Sequence, residues 1–505
     1  LGVHDCVVLT VAGYVWHAAG VTVAPLPSTA WPPYSKPATP YCGFLQRRTA
    51  DGRGSELYVP YSAAHCLISA PTETGKTRRL LAPAAVLWNG PACVVSSKDD
   101  LMQLVMERRY GPTALIDLRP IDSPVYPHGV TPLSFDPTVS IDSPAEALTV
   151  AETIMQMSTV GLGSGADQVS DGGIWESQAA GPLAAFLYAA SPRGNSLGMS
   201  WVLTAVDNID PEQFDSPGWA QAAAWCRDYE VLALGMMRIL DMDARQRDSV
   251  AITMRKAITP WLRTSLTNNA MLTPFTPDFL DDPAATLFVL APADGTVAGS
   301  AVTLLDSLVR RWRNKTAVRE QMYRLLMIVD ELPNTAPIPG LRRFVGEGRG
   351  LGINLMVAVQ ASEQLETVYG SVYAAELRAI FPAAVIMHGA REEELLTAAE
   401  QWSGLTNRRA QSFGQSDSHK TVSSDVGAGL RWQELLPPDR EHARLLIRGG
   451  IGQCVQIPDW SVFVARYDAA CQALVDRSGH PTIAGTRPPP PRRTSVWRRI
   501  WAALR

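Results

Sequence analysis

Apolar and polar positions follow two different rhythms along this chain. In the first, short apolar runs alternate with segments of helical spacing. Residues 56–70 hold β-favouring runs that end at a Gly/Thr-rich turn, and a helix-like stretch follows from Thr77 to Trp88. Ala92–Ser96 reads as a buried strand, Asp100–Arg109 as a helix and Ala114–Asp117 as a third strand. Strand, helix, strand, helix, strand predicts a parallel sheet with crossover helices. From about Pro144 to Leu280 the rhythm changes. Ala145–Met157, Ile174–Ala190, Gly218–Leu240 and Arg245–Leu262 carry Ala, Leu and Met at helical spacing, and strand-like runs almost vanish. Strand signals return at Thr286–Leu290, Leu325–Asp330, Asn354–Val359 and Ala384–Met387. The helical block therefore interrupts one α/β domain rather than following it.

Composition narrows the picture. The 505 residues are 46% hydrophobic and 19% charged, with a formal net charge of −4. That excludes a wholly disordered chain, a polytopic membrane protein and a protein that coats nucleic acid by bulk positive charge. Seven cysteines lie far apart with no Cys-x-x-Cys spacing, which points to reduced, mostly buried thiols. From Cys6 to Ala24 there are 19 residues without Asp, Glu, Lys or Arg, about 28 Å as a helix. This is either a membrane span or a buried amphipathic segment. Prolines from Pro25 to Pro40 read as an extended tether, so the body should start near Glu56.

The chemistry enters at the turn Ala70-Pro71-Thr72-Glu73-Thr74-Gly75-Lys76-Thr77. Its spacing is that of a phosphate-cradling P-loop, placed between a strand and a helix. Such a loop aims backbone N–H groups at phosphates, and Gly75 permits that close approach. Lys76 would bring an ammonium to the outer phosphates, and Thr77 a hard oxygen ligand for Mg²⁺. Ala70 stands where glycine is usual; alanine serves there if its φ is negative. A second element is the apolar strand Leu325–Val329 ending in Asp330-Glu331. A parallel strand delivers such carboxylates to the sheet edge where ligands bind. Asp330 would hold Mg²⁺ through water, and Glu331 would orient or deprotonate an attacking water. Lys76 and Asp330 are separated by 254 residues, far more than neighbouring βα units need. The helical block accounts for most of that excess.

These pieces, in this order, resemble the type IV coupling proteins of bacterial conjugation and type IV secretion. Leu67–Thr77 is similar to that family's strand and P-loop. Val94-Val-Ser-Ser-Lys-Asp-Asp-Leu101 resembles its next strand. Asp330-Glu331-Leu332-Pro333-Asn334 is close to its Asp-Glu-Phe-Pro-Asn, and Gly348-Arg-Gly-Leu-Gly352 with Val357-Ala-Val-Gln360 to its glycine-arginine and glutamine motifs. Gln364-Leu365, Tyr369-Gly370 and Arg431–Pro437 also fit. The likeness spans roughly residues 56–470.

The resemblance implies a RecA-like P-loop NTPase core, α/β with a mainly parallel sheet, plus an inserted all-α domain. The corresponding division is an N-terminal apolar segment and tether (1–55), a first nucleotide-binding part (56–143), the helical insertion (144–280), a second nucleotide-binding part (281–475) and a Pro-rich basic tail (476–505). It further implies an ATPase using ATP and Mg²⁺. Such a protein forms a homo-hexamer at the cytoplasmic face of a bacterial inner membrane and pumps single-stranded DNA or a nucleoprotein toward a type IV secretion channel, with relaxosome proteins as partners. Gln360 would sense the γ-phosphate; a buried strand-end hydrogen bond is its plainer reading. Arg349 would act near a nucleotide at a subunit boundary; a surface salt bridge is its plainer reading. Two alternatives stay open: a DNA translocase of the FtsK/HerA kind, and an ATP-gated cargo receptor or scaffold without strong motor activity.

Four further features are less specific. Arg310-Arg-Trp-Arg-Asn-Lys315 is the densest basic run and reads as a solvated helix face or a phosphate contact. Ser403–Gly427 reads as a long loop. Trp175, Trp201 and Trp225 read as core. In the tail, Val496, Trp497, Ile500, Trp501 and Leu504 share one helical face beside Arg498, Arg499 and Arg505, which fits a lipid-surface or docking helix.

Overall fold

A computed structural model describes residues 39–48, 55–121, 124–158, 171–210, 212–266, 272–320, 322–413 and 420–478. The stretch Cys6–Ala24 and the tail from residue 479 lie outside these. Among the described residues, no helix is long and apolar enough to cross a membrane.

Fourteen strands are present among them. A short hairpin pairs β1 (Leu45–Arg48) with β2 (Ser55–Tyr58). Then come β3 (His65–Ser69), β4 (Ala92–Ser96), β5 (Thr113–Asp117), β6 (Thr131–Leu133), β7 (Thr286–Leu290), β8 (Leu325–Val329), β9 (Ile353–Val359) and β10 (Ala383–Met387). A second hairpin joins β11 (Leu405–Phe413) to β12 (Lys420–Ala428), and β13 (His442–Ile447) and β14 (Gln453–Gln456) complete the set. One ten-stranded sheet runs in the order β14-β13-β10-β3-β9-β8-β4-β7-β5-β6. The run from β10 to β6 is parallel; β13 and β14 add antiparallel strands at one edge.

The sequence explains the central strands. Every residue of β3, β4, β5, β7, β8, β9 and β10 is buried. A strand covered on both faces needs apolar residues throughout rather than in alternation. Helices Ala298–Ala317, Leu341–Leu351 and Ser371–Ile380 contribute to one apolar layer. Ala82–Leu87, Asp100–Arg108 and Trp460 with Phe463 contribute to the other.

Among the described residues six α-helices lie between β6 and β7: Pro144–Met157, Asp171–Ala190, Gly198–Ala205, Trp219–Trp225, Glu230–Leu240 and Ala244–Ser265. They surround a core of their own that includes Ile154, Leu183, Phe186, Trp201, Trp219 and Met254.

Several expectations change. Residues Thr39–Arg48 are not tether: Tyr41, Cys42 and Phe44 are buried in the body, and the Ser62 hydroxyl donates to the Pro40 carbonyl at 2.9 Å. Proline content concealed an apolar anchor there. Gly218–Leu240 is two helices, because a turn closed by Tyr229 N–H to Cys226 O at 2.8 Å interrupts it. Trp201 is core, whereas Trp225, at the end of the first of those helices, is 44% exposed. Ser403–Gly427 is no irregular loop but the β11–β12 hairpin; its two polar strands pair with each other and not with the main sheet. Among the described residues four free cysteines are buried, as expected, and Cys454 is exposed.

Candidate nucleotide site at the carboxyl edge of the sheet

The strands β3, β9 and β8 are neighbours, so the turns that follow them share one edge. These turns carry Ala70–Thr77, Gln360 and Asp330-Glu331. The 254-residue separation in sequence closes to direct contact in space: Lys76 Nζ lies 2.7 Å from Asp330 Oδ1, with side chains only 11% and 9% exposed.

The cradle is built locally. Ala70 N–H donates to Val359 O at 3.0 Å, which fixes the loop's start against β9. Ala70 is buried and is not among the residues with positive φ, so the missing glycine costs nothing there. Pro71 to Thr74 closes a turn, with Thr74 Oγ1 donating to Pro71 O at 2.7 Å. Gly75 does need to be glycine. Its φ is +84°, and a Cβ would come within 3.0 Å of the Arg79 side chain. Glu73 also adopts positive φ, at 61°. Thr72, like Glu73, is exposed on the loop.

The helix after the cradle starts with a π turn, Thr77–Leu81, before Ala82–Leu87. Pro83 supplies the reason. It has no N–H for the Arg79 carbonyl, and its ring crowds that carbonyl, so the turn widens and Ala82 N–H bonds Thr77 O instead. Arg78 and Arg79 tie this turn to the far end of the chain. Arg78 Nη2 is 3.0 Å from Asp459 Oδ2, and Arg79 Nη1 donates to Ile457 O at 3.0 Å.

The acidic motif is held as firmly. Asp330 N–H donates to Val95 O at 2.9 Å, and Thr335 Oγ1 donates to Asp330 O at 2.7 Å. Glu331 has φ 52° and ψ 51°, a left-handed backbone that a glutamate adopts only at a cost, and such residues cluster at functional sites. Gln360 Nε2 lies 3.4 Å from Glu331 Oε1, and Gln360 N–H donates to Gln364 Oε1 at 3.0 Å. Lys76, Asp330, Glu331 and Gln360 thus converge beside the cradle.

Arg349 does not. It lies at the end of helix Leu341–Leu351, and its carbonyl accepts from Arg324 Nη2 at 3.3 Å. Arg324 directly precedes β8, so Arg349 sits at the opposite, amino-terminal edge of the sheet. There His65 is buried with both ring nitrogens unpartnered. Burial, with Arg324 and Arg349 close by, pulls its pKa down from 6.5 to about 4. Burial and Arg349 likewise lower Arg324 to about 10.

The basic run 310–315 is neutralised within the chain. Arg310 pairs with Asp306 at 3.0 Å, Arg311 with Asp281 at 2.6 Å, Arg313 with Glu347 at 3.0 Å and Lys315 with Glu320 at 2.5 Å. The run is thus neither a solvated face nor free for phosphate, since Arg310 and Trp312 are buried and its cations are paired. Asp99 precedes helix Asp100–Arg108 without a side-chain cap, and Lys98 is exposed.

No group of three or more His, Cys, Asp or Glu residues that could hold a metal occurs among the described residues. A hydroxyl and a carboxylate are nevertheless the donor set expected for Mg²⁺, which takes its remaining ligands from phosphates and water. Thr77 and Asp330 fit that set, with Lys76 already bearing charge beside it.

A model of the type IV secretory system conjugative DNA transfer family matches residues 35–440. The chain belongs to that family. Membership connects it with DNA and with type IV secretion. The fold agrees. The structure of the bacterial conjugative coupling protein TrwBΔN70, unbound, is similar at 16% identity and TM-score 0.51, over 78% of this chain and 84% of that one. The plasmid coupling protein TrwB in complex with ADP and Mg²⁺ is similar at 15% identity and TM-score 0.51, over 82% and 90%. Comparison with curated proteins gives no match.

Proposed function

We propose that this family member is an ATP-hydrolysing coupling protein that moves DNA or a nucleoprotein into a type IV secretion channel. One observation carries the ATPase reading: the P-loop lysine meets the strand-end aspartate at 2.7 Å, with Glu331 and Gln360 beside them. The direction of transport and the cargo class rest on the family.

Each residue has a role in this reading. The N–H groups of Ala70–Thr77 and the Lys76 ammonium bind the phosphates. Thr77 and Asp330 would hold Mg²⁺, which when bound would supply positive charge against the phosphates. Glu331 orients the attacking water and takes its proton. Gln360, already touching Glu331, positions that water against the γ-phosphate. Arg349 serves another copy's site, because its own cradle is at the other end of the strands. The protein accordingly works as a hexamer, at the cytoplasmic face of the inner membrane and against relaxosome and channel proteins. The helical unit receives cargo.

ATPase rate, measured with and without DNA across a protein concentration series, tests this. A cooperative rise with concentration, boosted by DNA and absent in Lys76→Ala, is expected. A DNA-blind rate would favour the ATP-gated receptor, and a rate preserved in Lys76→Ala would remove the P-loop assignment.

A further inference from the structure

We propose that Glu392 is a positioning residue that locks the γ-phosphate-sensing loop after β9 to the cradle strand β3. Glu392 belongs to the run Arg391-Glu392-Glu393-Glu394, which reads in sequence as solvated charge. Its neighbours in that run are exposed, but Glu392 itself is 6% exposed. The Ser69 hydroxyl donates to Oε1, the Ser362 N–H donates to Oε1 at 2.8 Å, and the Ser362 hydroxyl donates to Oε2. A buried carboxylate is costly unless donors surround it, and this one has three.

The donors are informative. Ser69 is the last residue of β3 and directly precedes Ala70, the first residue of the cradle. Ser362 stands two residues beyond Gln360. Its carbonyl also accepts from Arg378 Nη1 at 3.3 Å, while Arg378 Nη2 bonds Glu366 at 2.8 Å and Nε lies 2.7 Å from Glu394. Ser362 is therefore held at its N–H, its hydroxyl and its carbonyl. Strand order does not require this. Ladders already join β3 to β9, as far as Ser69 opposite Val359, and β10 to β3. The carboxylate acts beyond the end of the ladder, on the turns. It fixes how far the Gln360 turn stands from the phosphate cradle. Glu392 also begins helix Glu393–Gln401, its carbonyl accepting from Leu396 N–H at 2.9 Å, so that helix shares the anchor.

This inference rests on the ATPase reading. It predicts a particular defect. Loosening the turn should blunt the response to the γ-phosphate and leave binding of the rest of the nucleotide intact. The test uses the full chain and the variants Glu392→Ala, Glu392→Gln, Ser69→Ala, Ser362→Ala and the serine double variant. Turnover, ADP affinity and affinity for a non-hydrolysable ATP analogue are measured for each. Glu392→Ala should lower kcat by about tenfold or more, as small misplacements at reacting groups do. It should cut the preference for the ATP analogue over ADP about tenfold while ADP affinity stays within about twofold. Glu392→Gln, which keeps an acceptor oxygen, should recover part of both. The two serine substitutions should be non-additive, since both act through one carboxylate; they also decide the matter if Glu392→Ala does not fold. Unchanged kcat, equal losses for ADP and the ATP analogue, or additive serine effects would each overturn the proposal. A wild-type chain that neither binds nor hydrolyses ATP would overturn the ATPase reading instead.

Discussion

The Lys76–Asp330 contact makes a quantitative prediction about nucleotide binding. Each charge satisfies the other at 2.7 Å. Both are also claimed by the ligand, since phosphate needs the ammonium and Mg²⁺ needs the carboxylate. Phosphate therefore competes with Asp330 for the charge of Lys76. At 2.7 Å and an effective dielectric of about 20, the gross attraction is about 6 kcal/mol. Most of it is offset by the desolvation of two nearly buried charges. A hydrogen bond between charged groups nets about 1.5–3 kcal/mol, and that is what an incoming phosphate has to replace. Asp330→Asn keeps the shape and the backbone bonds to Val95 and Thr335 and removes the charge. ADP without Mg²⁺ should then bind roughly 10- to 150-fold more tightly, by converting that energy to affinity. With Mg²⁺ the gain should shrink or reverse, because the metal has lost its carboxylate. The assay is a fluorescent-ADP titration of both proteins in EDTA and in excess Mg²⁺. If Asp330→Asn leaves the Mg²⁺-free affinity unchanged, the two side chains are not in competition with the ligand and the argument fails.

Other outcomes follow from the same geometry. Glu331→Gln should bind ATP normally and slow its hydrolysis by about 10²–10⁴, the range for loss of a general base; single-turnover kinetics check it, and normal hydrolysis would put the catalytic acid elsewhere. His65 titrates near 4 when folded and near 6.5 when unfolded, so the unfolded chain binds the extra proton between those values. Stability should therefore fall as pH drops through this window, by about 2 kcal/mol between pH 7 and pH 5. Denaturation of wild type and His65→Leu at both pH values tests this, since the variant should lose that part of the pH slope. Deleting residues 487–505 should weaken binding to anionic vesicles, by up to about 1 kcal/mol per arginine near the surface; co-sedimentation unchanged by the deletion would sink the lipid-helix reading of the tail.

The parts of the fold legible in sequence were those with a strong local signature. β4, β7 and β8 are short apolar runs because both their faces are covered, and the cradle is a fixed spacing between a strand and a helix. What the sequence left hidden depends on pairing at a distance. β13 and β14 carry mixed polar patterns, since they close one edge of the sheet, and β14 is half solvated. The β11–β12 hairpin lacks apolar alternation because neither strand joins the main sheet, so its polar residues looked like a loop. Arg310–Lys315 reads as a solvated helix face or a phosphate contact because two of its partners, Asp281 and Glu347, come from other elements of the chain, and its packing against the core depends on the fold. Glu392 was invisible for the opposite reason: a run of four charged residues gives no hint of which one turns inward.

The separation of Arg349 from the cradle bears on assembly. Arg324 Nη2 holds the Arg349 carbonyl at the start of β8, and Asp330 follows the end of that strand. Five residues of strand at about 3.3 Å each put about 16 Å between the two ends. An arginine side chain, about 7 Å when extended, cannot span that distance, and the intervening strand interior is filled by buried apolar residues. Phosphoryl transfer gains much of its rate from a cation placed against the transferring group, beyond the one that binds the phosphates. In the proposed mechanism Lys76 would fill the binding role within one copy, and Arg349 lies beyond reach of the other. A ring resolves this mismatch if it sets the amino-terminal edge of one copy's sheet against the carboxyl edge of the next. Turnover would then depend on neighbours, and the occupancy of one cradle could be sensed by the copy that lends its arginine. The exposed position of Arg349, on a helix otherwise anchored by Leu341, Phe344 and Val345, suits such a contact.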